Sequence, residues 1–348
     1  FGSCEENAFR GTVVPHTRKD RETMKIAVDG FGGDNAPLCV LEGSSLAVQE
    51  YGVEILMTGK EEELRRVAAE HNISLEGITI VPAEDVIEVC DDPTSILNEH
   101  QNSSMAVAMR LVSEGKADAF VSAGSTGAIV VGASMIVKRI RGIKRVAIAP
   151  IIPSQTGCFM LIDGGANLEC RPEMFLQFGL MGSIYMNKIM KVDAPRVGLV
   201  NVGEEETKGR ELQLEAYSLL KDSSLNFVGN VEARDIPLGK ADVVVADGFS
   251  GNIILKLTEG LAKFLMGGLK GIFLGSMKGK LAAMLTMKDM KQFKKKMDYK
   301  EYGGAALMGA SKPVIKAHGS SDGYAYKNAI RQAKEFTELD VVGEIVRS

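Results

Sequence analysis

From Met24 onward, short apolar runs rich in β-branched residues alternate with longer amphipathic stretches, and this alternation most constrains the fold. The runs predict strands at Lys25–Asp29, Glu54–Met57, Ile78–Val81, Ala119–Ser122, Val146–Ile151, Phe159–Asp163, Arg196–Val202, Asn226–Val228, Asp242–Ala246 and Pro313–Ala317. Between them the 3.6-residue period predicts helices at Leu38–Tyr51, Glu61–His71, Ser103–Glu114, Thr126–Ile140, Pro172–Met190, Gly209–Leu220 and Tyr324–Phe336. Parallel strands need crossover helices, which cover both faces of the sheet. The order therefore predicts an α/β fold in three layers, α/β/α, on one mostly parallel sheet.

At 348 residues and 45% hydrophobic content the chain can bury a sizeable core. No repeat or linker divides it, so residues 24–348 are expected to form a single α/β/α domain, and residues 1–23 a disordered tag or non-native leader. A net charge of −4 provides no general basic field, which argues against nucleic acid as a partner. The five cysteines form no Cys-x-x-Cys pair and have no histidine at zinc-ligand spacing, so no metal is expected and a reducing, cytoplasmic compartment fits. The uncharged run Ala119–Val137 is interrupted by glycine, serine and threonine, and reads as strand, loop and buried helix rather than a membrane span.

Residues 256–300 differ from the rest. Eleven lysines stand there against Glu259, Asp289 and Asp298, a local +8 that leaves −12 elsewhere. Leu257, Leu261, Phe264, Leu265 and Ile272 share one helical stripe, and six methionines lie in the same segment. Five glycines from Gly267 to Gly279 each weaken a helix by about 1 kcal/mol, which predicts a protruding basic, amphipathic helical hairpin with a broken tip.

In an α/β sheet, ligands sit beyond the carboxyl ends of the strands, where helix starts offer free N–H groups. Four glycine-bearing loops follow predicted strands: 29–37, 123–127, 203–209 and 247–252. Gly124–Gly127 is the best anion cradle, with the Ser125 and Thr126 hydroxyls beside the N–H groups of a helix start. Gly248–Asn252 repeats the arrangement, with Ser250 or Asn252 as cap. In the third loop, Lys208 and Arg210 are expected to offset Glu204, Glu205 and Glu206. His318 ends a strand beside Lys316. A Walker A loop and a dinucleotide fingerprint are both absent. Gly319-Ser320-Ser321-Asp322-Gly323 matches a nucleophile elbow, but no histidine follows it to complete a hydrolase triad.

Taken in order, Gly32-Gly33-Asp34-Asn35-Ala36-Pro37, Asp118–Gly124, Gly203–Gly209, Asn226–Glu232, Asp247–Asn252 and Lys316–Ser321 resemble the bacterial phosphate acyltransferase family, from Met24 to about Ala333. Two positions depart from the pattern: Ser125 stands where the family has asparagine, and Gly30-Phe31 where it has Ala-Met. The resemblance implies a Rossmann-like fold similar to isocitrate dehydrogenases and phosphotransacetylases, and a homodimer without metal or organic cofactor. It implies transfer of a fatty acyl group from acyl carrier protein to inorganic phosphate. The acyl phosphate would then supply a membrane glycerol-phosphate acyltransferase in phospholipid synthesis.

On that reading, phosphate binds at Ser125, Thr126, Gly127, Gly251 and Asn252, and Lys208, His318 and Lys316 are the catalytic candidates. Asp34, Asn35, Asp247 and Ser250 complete the loops. The basic 256–300 segment is expected to meet acidic acyl carrier protein or the anionic inner face of the membrane, or to pair in the dimer. Two alternatives stand beside this: a phosphotransacetylase acting on acyl-CoA, and a non-catalytic lipid- or membrane-binding protein of the same fold.

Overall fold

The computed structural model describes residues 23–297 and 301–348. The leader expected over 1–23 falls, apart from residue 23, outside the described residues, as does the end of the basic excursion at 298–300.

Among the described residues twelve strands form two sheets instead of the single one expected. The first contains β1 (Lys25–Asp29), β2 (Glu54–Gly59), β3 (Ile78–Pro82), β4 (Ala119–Ser122), β5 (Ala147–Ala149), β11 (Ala305–Met308) and β12 (Val314–Lys316), in the order β3-β2-β1-β4-β12-β11-β5. The second contains β6 (Ile151–Ser154), β7 (Gly157–Ile162), β8 (Val197–Val200), β9 (Phe227–Val231) and β10 (Val243–Val245), in the order β6-β7-β10-β8-β9. Among the described strands, β11 and β6 alone run against the direction of their sheets. The α/β, mostly parallel expectation therefore stands. β4 is buried at every residue and apolar up to its closing Ser122, because helices cover both faces.

Pro150 explains the second sheet. The run 146–151 reads as one strand, but proline has no N–H to donate to a ladder. The chain leaves the first sheet after β5 and enters the second as β6, antiparallel to β7. β11 escaped the sequence reading because Ala-Ala-Leu-Met contains no β-branched residue. One hydrophobic cluster takes in residues of both sheets, from Ile26 and Val121 to Met160 and Val243.

The helices that matter for the site are α4 (Thr126–Met135), α6 (Glu211–Lys221), α7 (Gly248–Leu274) and α10 (Gly323–Glu338). α7 runs unbroken through Gly260, Gly267, Gly268 and Gly271, so the expected break lies farther on, at Gly275-Ser276. Glycine weakens a helix without removing its hydrogen bonds. The chain breaks where cap chemistry is supplied, and the Ser276 hydroxyl accepts from Gly279 N at 3.0 Å. Two short helices follow, Met277–Leu285 and Met287–Met297. Along α7, Phe249, Ile253, Leu257, Leu261 and Phe264 are each at least half exposed. Among the described residues no helix is long and apolar enough to cross a membrane.

Candidate active site

The carboxyl ends of both sheets border one cavity of about 900 Å³. From the first sheet it is lined by Gly33 and Asp34 after β1, Gly124, Ser125 and Thr126 after β4, and Lys316, His318 and Gly319 at and after β12. From the second sheet come Gly164 and Gly165 after β7, and Asn252 and Leu255 on α7. Ile148, Pro150, Ile151 and Ile152 supply an apolar wall, and Val86, Ile87 and Val89 another. Polar groups therefore converge within an apolar container.

A buried polar cluster builds the first-sheet side. Asp29 ends β1 and is fully enclosed; its carboxylate accepts from the Ser104 hydroxyl at 2.6 Å and the Ser122 hydroxyl at 2.7 Å. Ser122 in turn accepts from Gly124 N at 2.9 Å, which sets the turn leading to α4. Gly32 lies against this cluster so closely that a Cβ there would sit 2.6 Å from both Asp29 Oδ2 and Ser122 Oγ. The loops are also laced together: Asp34 N donates to Gly319 O at 2.8 Å, and the Asn35 amide donates to Ser321 O at 3.0 Å. Asp29, Ser104 and Ser122 were not singled out in the sequence. The available signal was a polar residue closing an otherwise apolar strand, at Asp29 and again at Ser122.

Ser125 is the N-cap residue of α4, yet its hydroxyl makes no capping bond to the backbone. The side chain is nearly enclosed and faces the cavity wall, beside helix N–H groups that lack intrahelical partners.

Lys316 closes β12, and its Nζ donates to Ala123 O at 3.0 Å and to Ala317 O at 2.6 Å. Burial pulls its pKa down to about 8, against the opposing fields of Asp34 and Asp29. It is thus a cation at neutral pH that can lose its proton within reach of physiological conditions. Burial also lowers the His318 pKa; Glu259 opposes this, while Lys316, Lys256 and Lys263 add to it. His318 Nδ1 accepts from Ser320 N at 3.2 Å, and a backbone N–H can only donate. The neutral ring therefore carries its proton on Nε2.

Of the sequence candidates, the structure brings Ser125, Thr126, Asn252, Lys316, His318 and Asp34 into the cavity wall. The others stand outside it. Gly127 packs against Pro93. Gly251 N already donates to Asp247 O at 2.8 Å, because α7 begins at Gly248 and not at Gly251. Asp247 itself, and not Ser250 or Asn252, caps α7, accepting from Ser250 N at 2.7 Å and from the Ser250 hydroxyl at 3.1 Å. Asn35 is spent on joining two loops.

Lys208 is exposed and absent from the cavity wall, and its carbonyl accepts from the Asn201 amide. Nor does it offset the neighbouring glutamates. Glu204 pairs with Lys240 and Glu206 with Lys221, while Arg210 reaches Asp247 at 3.6 Å. The lysines that line the cavity are Lys316, Lys256 and Lys60, of which Lys316 is the one most deeply buried.

Comparison with known proteins agrees with this architecture. The family model described as "Fatty acid synthesis protein" matches residues 24–344. Curated proteins named "Phosphate acyltransferase" from Clostridium botulinum (strain Loch Maree / Type A3) and Clostridium tetani (strain Massachusetts / E88) are 47% and 48% identical over 323 residues. These alignments cover 92% of this chain, with 96% and 97% of the respective relatives. Among solved structures, an EutD phosphotransacetylase from Staphylococcus aureus superposes with a TM-score of 0.61 at 16% identity, over 90% of this chain and 94% of the other. A phosphotransacetylase from Streptococcus pyogenes gives 0.58 at 18% identity, over 94% and 95%. The structural likeness establishes the fold. With a family model spanning nearly the whole described chain, and near-half identity over almost the full length of the curated relatives, the chain belongs to the phosphate acyltransferase family of enzymes.

Proposed function

We propose that this cavity transfers a fatty acyl group from the thioester of acyl carrier protein to inorganic phosphate. The observation that carries the reading is the convergence of a helix start, an amide, a lysine and a neutral histidine on one side of a cavity with apolar walls. Phosphate binds at Ser125 and Thr126 with the Asn252 side chain across from it, and Lys316 supplies positive charge. A phosphate oxygen attacks the thioester carbonyl carbon; the new C–O bond forms, the C–S bond breaks, and the carrier leaves as a thiol once protonated. Phosphate is already a nucleophile at neutral pH and a thiolate leaves readily, so positioning and charge stabilisation suffice. The Nε2–H of His318 is suited to donate to the thioester carbonyl as charge develops on its oxygen. The apolar wall at Ile148–Ile152 and Leu255 suits an acyl chain.

Incubating the protein with palmitoyl-acyl carrier protein and phosphate, then trapping briefly with hydroxylamine, is expected to yield acyl hydroxamate well above the slow background from the thioester itself only when protein and phosphate are both present. Equal turnover of palmitoyl-CoA would transfer the reading to a phosphotransacetylase. No product from either thioester would leave a non-catalytic lipid-binding role.

The α7 excursion has two further proposed roles. Its exposed Leu257, Leu261 and Phe264, set among lysines, suit pairing with a second copy in a homodimer and docking on an anionic membrane at the cytoplasmic face. That position would deliver acyl phosphate to a membrane glycerol-phosphate acyltransferase. Co-sedimentation with phosphatidylglycerol vesicles is expected at low salt, falling several-fold in high salt and on Leu257→Glu/Phe264→Glu substitution. Binding that neither treatment reduces would rule out the electrostatic, apolar contact.

A further inference from the structure

The loop after β7 holds a carboxylate that the chemistry above does not use. Asp163 is wholly buried. Its Oδ1 accepts from Ile148 N at 3.0 Å, Gly165 N at 3.1 Å and Ala166 N at 3.0 Å. Its Oδ2 accepts from Asn167 N at 2.7 Å and the Asn167 amide at 2.8 Å. Among the described residues these five donors are all neutral N–H groups. Burial raises the pKa of this carboxyl, and the bonds from Ala166, Asn167, Ile148 and Gly165 oppose the rise. A buried carboxylate is costly unless its lone pairs are satisfied, and here they are.

Four of the five bonds shape the loop itself, and the fifth, from Ile148 N, joins it to the other sheet. Ile148 belongs to β5 of the first sheet, and Asp163 itself follows β7 of the second. Asn167 reaches on to Val146 O at 2.8 Å, and its carbonyl accepts from Gly248 N, the first residue of α7, at 2.8 Å. Gly251, one turn into α7, lies against the Asp163 carbonyl. Gly165, at φ +134°, lies so close to Asn252 that a Cβ there would stand 2.5 Å from its side-chain Nδ2. The loop is thus pressed between the first sheet and the first turn of α7, with its shape set by a single carboxylate.

We propose that Asp163 is a positioning residue for the phosphate end of the cavity. By gathering the N–H groups of residues 148 and 165–167, it holds loop 163–167 in the form that seats α7 and aims the Asn252 amide across from Ser125. The inference rests on the reading that phosphate binds at this end. It predicts a selective effect: the phosphate end loosens while the apolar walls for the acyl chain keep their form.

Asparagine at 163 keeps the volume but turns an N–H₂ toward groups that are themselves donors. Asp163→Asn is expected to raise the phosphate concentration at half-maximal thermal protection, and the KM for phosphate, at least tenfold. The KM for palmitoyl-acyl carrier protein should stay within twofold. Gly165→Ala keeps the Asp163 carboxylate and all of its donors but, at φ +134°, strains the same loop and presses on Asn252, so it should move the same two phosphate readouts in the same direction. It decides the matter if Asp163→Asn fails to fold. Asp242→Asn, which breaks the pair with Arg196 at the far end of β10, is the stability control and should leave the phosphate midpoint unchanged.

The proposal is overturned if folded variants keep the wild-type phosphate midpoint, if both KM values rise together, or if Asp242→Asn shifts the midpoint as much. Thermal protection by inorganic phosphate requires no turnover. A wild-type protein that phosphate protects but that forms no acyl phosphate would therefore refute the proposed reaction while still testing Asp163.

Discussion

Lys316→Met is expected to lower the rate of acyl phosphate formation by about two to three orders of magnitude, the usual cost of removing one preorganised group from the site of developing charge. The side chain is anchored by two carbonyls and lies in the cavity wall, so its positive charge is delivered at a fixed place. Methionine retains the length and apolar body of the stem, which keeps the fold's loss small. The pH dependence has a definite sign. Burial lowers the pKa of Lys316 to about 8, so the ammonium form is present below that value and is lost as pH rises through it. Wild-type turnover is therefore expected to fall above about pH 8 with a single ionisation. That descending limb should be missing from the residual activity of Lys316→Met. Single-turnover hydroxamate trapping across pH 6–10 measures both; a rate within threefold of wild type, or an unchanged descending limb, would remove Lys316 from the mechanism.

Gly251→Ala is expected to produce the largest loss of stability. A Cβ at this position would stand 1.9 Å from the Asp163 carbonyl oxygen, closer than any tolerated contact. The oxygen belongs to backbone that cannot retreat cheaply, because the Asp163 carboxylate is tied to both sheets. Overpacking of this kind costs roughly 1–3 kcal/mol or more. In a domain of this size the midpoint of thermal unfolding should drop by about 2–5 °C. Gly268→Ala on the same helix is the matched control. A Cβ there meets no atom within 4 Å, so it should hold or raise the midpoint, since alanine is the better helix former. Circular dichroism melts of the two variants check the contrast. A Gly251→Ala protein that melts with wild type would mean that α7 is not seated on the β7 loop as described.

These two positions show how differently the site was written into the chain. Lys316 was visible because it closes a predicted strand beside His318 and a glycine-serine turn. Gly251 was expected in a phosphate turn and packs against the Asp163 carbonyl, because a glycine after a strand reads the same whether it meets a ligand or a neighbouring carbonyl. Lys208 stands outside the cavity wall for a related reason. Its loop follows a strand as the others do, but whether a side chain in such a loop enters the cavity depends on how the loops of two sheets meet. Asp163, Ser104 and Asp29 passed unremarked because a buried carboxylate or hydroxyl is marked out by its partners, and those are distant in sequence: Ser104 lies 75 residues from Asp29.

The sequence by itself determined the α/β class, most strands and helices, the placing of the glycine loops after strands, and the separation of a basic α7 excursion from an acidic body. These are short-range properties: hydrophobic period, turn chemistry and local charge act over a few residues and can be read along the chain. Only the tertiary structure decided that there are two sheets joined at Pro150, that their carboxyl edges share one cavity, and that Lys316 rather than Lys208 stands in it. Those outcomes depend on which strands pair and on which loops are pressed together. Such choices are settled by burial and hydrogen bonding between residues tens to hundreds of positions apart, and no local pattern encodes them.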